Sequence, residues 1–103
     1  MAFPNDHISL EAATHKIELY CSYQERCHEE VIQKLRSFKL QSDEIDNLIV
    51  HLLSENFLNE ERYAKSYARG KIRFKKWGRM RIKRELKMRS ISAYCIKKAM
   101  VEV

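Results

Sequence analysis

Apolar residues recur along this chain at an offset of 51 positions. When the chain is compared with itself at that offset, apolar residues coincide and their spacing within each copy is helical. A repeat of this length predicts one supersecondary unit used twice, each copy burying the open face of the other. Chance register between two amphipathic stretches is the alternative, because few identities survive. The coinciding pairs are Ala13 and Ala64, Tyr23 and Phe74, Val31 and Ile82, Leu35 and Leu86, Leu40 and Ile91, Ile45 and Ile96, Ile49 and Met100, and Leu52 and Val103.

The content of turn-forming residues predicts an all-α chain. Only two of the 103 residues are Gly and one is Pro, which disfavours a turn-rich β-sandwich or barrel. A hydrophobic content of 45% is too high for disorder and sufficient for one modest core. We therefore predict an all-α fold of tandem three-helix repeats. By the repeat, the last helix should extend past Val103, so we expect a truncated second unit and a longer native protein.

Composition and capping signals divide the chain into three segments. We predict a flexible N-terminal tail over residues 1–8, an acidic three-helix repeat over 9–57 and a basic three-helix repeat over 58–103. No apolar run approaches the length of a membrane span, and the N-terminus lacks the apolar region of a signal peptide.

Ser and Asn residues before apolar stripes predict most of the helix starts. In the second helix of the first unit, an S-x-x-E capping box at residues 22–25 is expected to open the helix. The predicted helices of the first unit begin at Ser9, Ser22 and Ser42 and end near Tyr20, Ser37 and Asn56.

The second unit follows the same plan. Asn59 is predicted to cap a helix to about Lys75, Gly78 to start a helix to about Arg89, and Ser92 to cap the last helix. The apolar side chains expected to face inward are Tyr63, Ala64, Tyr67, Ala68, Ile72 and Phe74 in the first of these helices, Ile82 and Leu86 in the second, and Cys95, Ile96, Ala99 and Met100 in the third.

Charge is segregated between the two halves of the chain. Residues 1–57 carry 5 Lys/Arg and 10 Asp/Glu, a net charge of −5, whereas residues 58–103 carry 15 and 4, a net charge of +11. Between Arg62 and Arg89 there are 13 basic residues and one acid, Glu85. Because such a stretch repels itself, we expect a polyanionic partner: nucleic acid, an acidic protein groove or an anionic membrane. A solubilising basic face without a partner is the alternative.

The basic residues fall into two stripes at helical spacing. The first stripe follows the helix from Asn59, and the second follows the next helix in steps of four residues. If about 5–7 phosphates are neutralised, the logarithm of the binding constant should fall against the logarithm of salt with a slope of about −4 to −6. The predicted binding residues are Arg62, Lys65, Arg69, Arg73, Lys76, Arg79, Lys83 and Lys87.

The sequence contains few signals of catalysis or metal binding. The four His residues lie on separate segments, and the three Cys residues show no CxxC spacing, so we predict no enzyme, no cofactor and no metal. The Cys residues are expected to be buried, reduced thiols in a cytoplasm. Trp77 is expected to pack over a helix junction, with stacking on a nucleotide base as the alternative.

Two segments of the second unit resemble the RecX family of regulatory proteins. Residues 58–64, Leu-Asn-Glu-Glu-Arg-Tyr-Ala, resemble the family signature L-[ND]-[DE]-E-R-[FY]-A. Residues 78–86, Gly-Arg-Met-Arg-Ile-Lys-Arg-Glu-Leu, resemble its G-x-x-R-I-x-x-E-L helix. In the first unit, residues 21–26 and 34–35 are similar to the S-x-x-E-[LV]-x-x-K-L region, with a looser match. The resemblance covers about residues 10–103.

The resemblance implies tandem three-helix units and a bacterial modulator of the RecA recombinase. Such proteins bind along the groove of the RecA–DNA filament and restrain strand exchange, ATP hydrolysis and coprotease activity. On this basis the eight stripe residues are predicted to contact DNA phosphates or an acidic RecA surface. The resemblance implies no enzyme and no cofactor, and we expect a monomeric, cytoplasmic protein that reaches single- or double-stranded DNA through the filament.

This sequence departs from the family pattern in two ways. Lys39 and Ser90 occupy helix exits where the family usually has Gly, so we expect strain or different capping there. Full-length members usually carry a third unit, which this sequence lacks.

Two other functions remain open at this point. The first is a stand-alone basic helical module that binds nucleic acid without RecA. The second is a membrane-surface or scaffold protein, although the face opposite the basic stripe is rich in Tyr and Ala rather than Leu, Phe and Trp.

Overall fold

The structure is a computed structural model that describes residues 8–101 and 103. All regular secondary structure in these residues is helical, which confirms the predicted all-α class. The elements are α1 (Leu10–Tyr23), α2 (His28–Arg36), α3 (Ser42–Ser54), α4 (Glu60–Gly70), a π-helical turn (Lys71–Lys75) that continues α4, α5 (Arg79–Met88) and α6 (Ala93–Val101).

The chain divides into two compact units, Met1–Leu58 and Asn59–Val103. The predicted tail over residues 1–8 lies outside the described residues except for Ile8. The 51-residue offset is visible in the helix starts: α2 begins at His28 and α5 at Arg79, while α3 begins at Ser42 and α6 at Ala93. Tandem three-helix units, as predicted, are the architecture of the chain.

The first unit is closed by one apolar core. Ile17, Leu35 and Leu52 come from its three helices and are fully buried. Burying a side chain of this size contributes about 1.5–3 kcal/mol. The other buried members of this core are Ala13, Cys21, Val31, Ile45, Leu48 and Leu58.

The second unit packs α4 most extensively on α6. Three alanines, Ala64, Ala68 and Ala99, are fully buried between these helices, and their small side chains allow a close approach. Ile82 and Leu86 bring α5 into the same core with no exposed surface, as the sequence predicted. The remaining buried residues of this unit are Tyr63, Ile91, Cys95, Ile96 and Met100.

All three cysteines are buried thiols, as expected. Burial raises the pKa of the Cys27 and Cys95 thiols above the usual value. At neutral pH these two side chains are therefore protonated, and they behave as small hydrophobic residues.

Three of the predicted caps are confirmed. The Ala12 N–H donates to Ser9 Oγ at 3.1 Å, and the Arg62 N–H donates to the Asn59 side-chain oxygen at 2.8 Å. The Cys95 N–H donates to Ser92 Oγ at 3.2 Å. These bonds satisfy backbone donors that the first turn of a helix leaves without a partner inside the helix.

The predicted capping box at residues 22–25 is wrong. Helix α1 continues through this segment to Tyr23, because Cys21 extends the buried stripe of Ile17 by one further turn. The capping box of α2 lies further along the chain. Cys27 is the N-cap of α2, and its backbone N–H donates to Oε1 of Glu30, three residues later, at 2.9 Å.

The cap predicted at Ser42 is displaced by one residue. Gln41 is the N-cap of α3, and its backbone N–H donates to Glu44 Oε1 at 2.9 Å. Ser42 is the first helical residue instead. The helix end predicted at Asn56 is confirmed, because Asn56 has the left-handed backbone conformation, with φ of 62°.

The burial predicted for Phe74 is also wrong, because its side chain is 76% exposed. Phe74 lies in the π-helical turn, which takes more residues per turn than an α-helix. The wider turn rotates Phe74 away from the face that Tyr63 and Ala64 bury. Its counterpart in the first unit, Tyr23, is 82% exposed.

Lys39 and Ser90 end α2 and α5 at equivalent positions of the repeat. Both have positive φ, 64° for Lys39 and 62° for Ser90. The Lys39 N–H donates to the Arg36 carbonyl at 3.0 Å, and the Ser90 N–H donates to the Lys87 carbonyl at the same distance. The strain expected at these two exits is therefore present in both units, since side chains with a Cβ disfavour this conformation.

Replacing Lys39 with Gly is expected to raise the free energy of unfolding by about 0.5–1 kcal/mol, because Gly adopts positive φ without the steric cost of a Cβ. Urea unfolding followed by circular dichroism measures this change. Lys39→Ala is the matched control, since it removes the same side chain and keeps the Cβ. A loss of stability in Lys39→Gly relative to Lys39→Ala would contradict the expectation.

Candidate functional site

Helix α4 and its π-helical turn carry the first predicted stripe. Arg69, Arg73 and Lys76 are exposed. Lys65 is only partly exposed, and its Nζ lies 2.9 Å from Glu61 Oε2 on the same helix. Arg62 is half-buried beside the start of α4. The outward cationic surface of this stripe therefore consists of Arg69, Arg73 and Lys76.

Lys76 also redirects the chain at the end of this stripe. Its backbone is left-handed, with φ of 60°, and closes the π-helical turn. The following Trp77 N–H donates to the Lys71 carbonyl at 3.1 Å. Gly78 is the N-cap of α5 with an ordinary extended backbone, which is consistent with its predicted place at a helix start.

The second predicted stripe lies along a groove between α5 and α6. Arg79, Lys83 and Lys87 are exposed on α5 and line a groove of about 740 Å³. Arg84 and Lys97 line the same groove, so five cations surround it, and none of its described lining residues is acidic. The other lining residues are apolar: Met80, Ala93, Ile96, Met100 and Val101.

Lys97 is a cation of this groove that the sequence prediction missed. It lies on α6, separated by fourteen residues from Lys83 of α5, and its stripe contains no other predicted binding residue. Helix pairing within the unit brings the two together. The sequence signal that points to it is its place one position after Ile96, on a helix expected to pack beside α5.

The single acid of the basic stretch neutralises a cation outside the groove. Glu85 Oε1 lies 3.1 Å from Arg89 Nη1, one helical turn along α5. The Arg89 guanidinium also lies 4.8 Å from the centre of the Tyr67 ring. Burial raises the pKa of the Tyr67 hydroxyl, which has no hydrogen-bond partner among the described residues.

Trp77 packs over the junction between α4 and α5, the position favoured by the sequence. Its indole meets the Tyr67 ring edge-on, with ring centres 6.4 Å apart. Two cations cover it: Lys71 Nζ lies 4.8 Å and the Arg81 guanidinium 3.9 Å from the ring centre. These contacts hold the indole half-buried at the junction.

Glu60 has a structural role that its place in the first turn of α4 did not reveal. Its Oε2 accepts a hydrogen bond of 3.1 Å from the Ser92 N–H at the start of α6. Its Oε1 lies 3.7 Å from Cys95 Sγ. The carboxylate thus joins the starts of α4 and α6, where both helix dipoles favour negative charge.

Replacing Glu60 with Ala is expected to lower the free energy of unfolding by about 1 kcal/mol, because the N-terminus of α6 loses an acceptor. Thermal and urea unfolding measure the loss. Glu61→Ala is the control: it removes a first-turn acid of α4 whose partner is Lys65 at the surface, a pair contributing about 0.3–0.5 kcal/mol. Equal losses of unfolding free energy in the two variants would contradict the role of Glu60 in capping α6.

The described residues offer neither a membrane span nor a metal centre. No helix among them has the length and apolar content needed to cross a bilayer. No three His, Cys, Asp or Glu side chains among them converge in a way that could hold a metal ion.

The chain is a helical-repeat protein: two three-helix units lie in tandem, and the second has an exposed cationic surface. Residues 59–100 match the family model described as RecX, second three-helix domain. The crystal structure of RecX from Lactobacillus salivarius has a TM-score of 0.78 and 29% identity to this chain, covering 89% of this chain and 60% of that one.

Two curated relatives give the same result. "Regulatory protein RecX" of Lactobacillus gasseri is 30% identical over 96 residues, which covers 90% of this chain and 35% of the relative. "Regulatory protein RecX" of Streptococcus uberis is 32% identical over 84 residues, covering 82% and 33%. The chain belongs to the RecX family. It spans about a third of the length of these curated relatives.

Proposed function

We propose that this chain is a regulatory module that binds the RecA–DNA filament and restrains the recombinase, ATPase and coprotease activities of RecA in DNA repair. The observation that carries the proposal is the exposed cationic surface of the second unit, formed by Arg69, Arg73, Lys76 and the α5–α6 groove. The names of its relatives support a regulatory role.

The two parts of this surface suit different parts of a filament. Arg69, Arg73 and Lys76 are exposed cations, which suits phosphate oxygens. The α5–α6 groove adds exposed Met80 and Val101 to its cations. Nucleic acid phosphates offer no apolar surface to cover these side chains, so we assign the groove to an acidic and partly apolar surface of RecA.

Reversing both Arg69 and Arg73 to Glu is expected to weaken inhibition of the RecA ATPase about tenfold or more, because two phosphate contacts become repulsive. The assay measures ATP hydrolysis by RecA on single-stranded DNA as the chain is titrated. The double variant Arg36→Glu/Lys39→Glu is the control, since it makes the same charge change on exposed residues of the first unit.

Inhibition that is equal in the two double variants would contradict the phosphate assignment. A wild-type chain that leaves ATP hydrolysis unchanged would contradict the proposed function. Gel shifts with and without RecA compare a filament binder with a stand-alone module at about 150 mM salt. A filament binder is expected to retard RecA-coated DNA much more strongly than naked DNA, whereas a stand-alone module retards both alike.

A further inference from the structure

The first unit has a cleft in which most of its few cations meet its aromatic rings. Lys16, Arg26 and Lys34 line this cleft of about 380 Å³, in a unit whose residues 1–57 carry only five basic residues. None of the described residues that line it is acidic, although the net charge of residues 1–57 is −5. The remaining lining residues are Leu19, Tyr20, Tyr23 and Phe38.

The rings and cations of this cleft are in direct contact. The Arg26 guanidinium lies 3.7 Å from the centre of the Tyr20 ring, and its Nε donates to the Tyr20 carbonyl at 2.9 Å. Lys34 Nζ lies 5.4 Å from the same ring centre. These contacts fix the cations in place, so less entropy is lost when they bind an anion.

We call the contacting cations and rings of this cleft a cation–aromatic cluster. The second unit has such a cluster at the equivalent positions of the repeat, but a cation stands where the first unit has a ring, and a ring where it has a cation. In the first unit Arg26 is the cation and Tyr20 is the ring. At an offset of 51 residues, Trp77 is the ring and Lys71 is the cation, with Nζ 4.8 Å from the ring centre.

A second exchange occurs at two further positions that line the cleft of the first unit. Lys16 and Phe38 of the first unit correspond to Tyr67 and Arg89 of the second. The Arg89 guanidinium lies 4.8 Å from the Tyr67 ring centre, so the later helix supplies the cation here. The apolar pattern of the 51-residue repeat does not reveal these pairs, because a cation of one unit corresponds to a ring of the other.

One ring stays in solvent beside each cluster. Tyr23 and Phe74 coincide at the same offset and are 82% and 76% exposed. The Arg26 guanidinium lies 5.9 Å from the centre of the Tyr23 ring. In the first unit an exposed aromatic face therefore lies next to fixed positive charge. Phe74 holds the equivalent position in the second unit, between Arg73 and Lys75 in the chain.

We propose that each of these clusters binds one unpaired base of a nucleic acid strand. The exposed ring of Tyr23 or Phe74 stacks on the base. The adjoining phosphate is neutralised by cations that contact the rings of each cluster: Arg26 and Lys34 in the first unit and Lys71 in the second. The inference rests on the proposed function for the identity of the polymer, and it assigns binding residues to the acidic unit as well as to the basic one. A duplex keeps its base faces stacked on one another, so the unpaired strand is the ligand that uses both the ring and the charge.

The test measures binding of a fluorescent oligothymidylate to the whole chain by anisotropy, without RecA. Tyr23→Ser combined with Phe74→Ser is expected to weaken binding about tenfold or more, because stacking on each ring is lost. Tyr94→Ser is the matched control: Tyr94 is 62% exposed and has Lys98 Nζ 5.4 Å from its ring centre, yet it belongs to neither cluster. Tyr23→Phe combined with Phe74→Tyr keeps both rings and is expected to bind as the wild type does.

Two further ligands separate stacking from charge. An abasic oligomer of the same length keeps the phosphates and lacks the bases, and we expect the wild type to bind it as weakly as the Tyr23→Ser/Phe74→Ser variant binds oligothymidylate. A duplex of the same length is expected to bind more weakly than the single strand. Equal affinity of the wild type for all three ligands, or no binding to oligothymidylate at all, would overturn the proposal.

The same variants distinguish this inference from the proposed function. If Tyr23→Ser/Phe74→Ser binds oligothymidylate like the wild type while the wild type still inhibits RecA, the inference fails and the proposed function stands. If the ring variant loses oligonucleotide binding while the wild type leaves RecA unaffected, the proposed function fails. Circular dichroism of each variant checks that the exposed substitutions leave the fold intact.

Discussion

Reversing Lys83 and Lys87 to Glu is expected to weaken binding to the RecA–DNA filament about a hundredfold. Both side chains line the α5–α6 groove, and none of its described lining residues is acidic. Each charge-assisted contact contributes about 1.5–3 kcal/mol, and reversal replaces two attractive contacts with repulsion. The loss is measured as the Kd for filaments assembled on a labelled oligonucleotide.

The Arg36→Glu/Lys39→Glu variant controls for net charge, because it alters the chain by the same amount outside the groove. A neutral change tests the apolar floor: Met80→Ser should weaken filament binding, whereas Met88→Ser, on the same helix but outside the groove, should not. If the two charge variants lose affinity equally, long-range attraction rather than the groove determines binding.

Replacing Leu86 with Ala is expected to lower the free energy of unfolding by about 3 kcal/mol. Leu86 is fully buried where α5 joins the core of the second unit, so truncation removes apolar contacts and leaves a cavity. Trp77 is the only tryptophan of the chain and lies in this unit, so its fluorescence during urea unfolding measures the change.

Met88→Ala is the matched control on the same helix. Met88 is 69% exposed, and its truncation is expected to change the free energy of unfolding by less than about 0.5 kcal/mol. Similar losses in the two variants would show that helix propensity rather than burial stabilises α5.

The fold could be predicted from this sequence because its apolar stripes determine which faces are buried. Ile82 and Leu86 were placed correctly from their spacing alone, and Ser9, Asn59 and Ser92 from the chemistry of capping. These signals are local, and tertiary packing agrees with them.

The errors at the starts of α2 and α3 arose where side-chain preference conflicted with the repeat. Gly78 and Ser92 were placed correctly, and an offset of 51 from them leads to Cys27 and Gln41. Neither residue is a preferred cap, whereas Ser22 and Ser42 nearby are preferred cap residues. In both cases a Glu three residues later bonds the backbone of the cap, and this signal outweighs the identity of the cap itself.

The candidate site was harder to predict because it depends on contacts between helices. Spacing placed Lys65 in the basic stripe, yet its ion pair with Glu61 reduces its outward charge. Lys97 joins the groove only because α6 packs beside α5. Phe74 is exposed in the π-helical turn that continues α4, and no residue pattern in this segment indicates that turn.

Burial of the native thiols makes site-specific labelling feasible. Cys21, Cys27 and Cys95 are enclosed in the two cores, and the raised pKa of Cys27 and Cys95 keeps their reactive thiolate scarce at neutral pH. A cysteine introduced at an exposed position would then be the thiol that a maleimide dye reaches first. One such dye in each repeat would allow energy transfer to report the distance between the repeats in solution, with and without DNA.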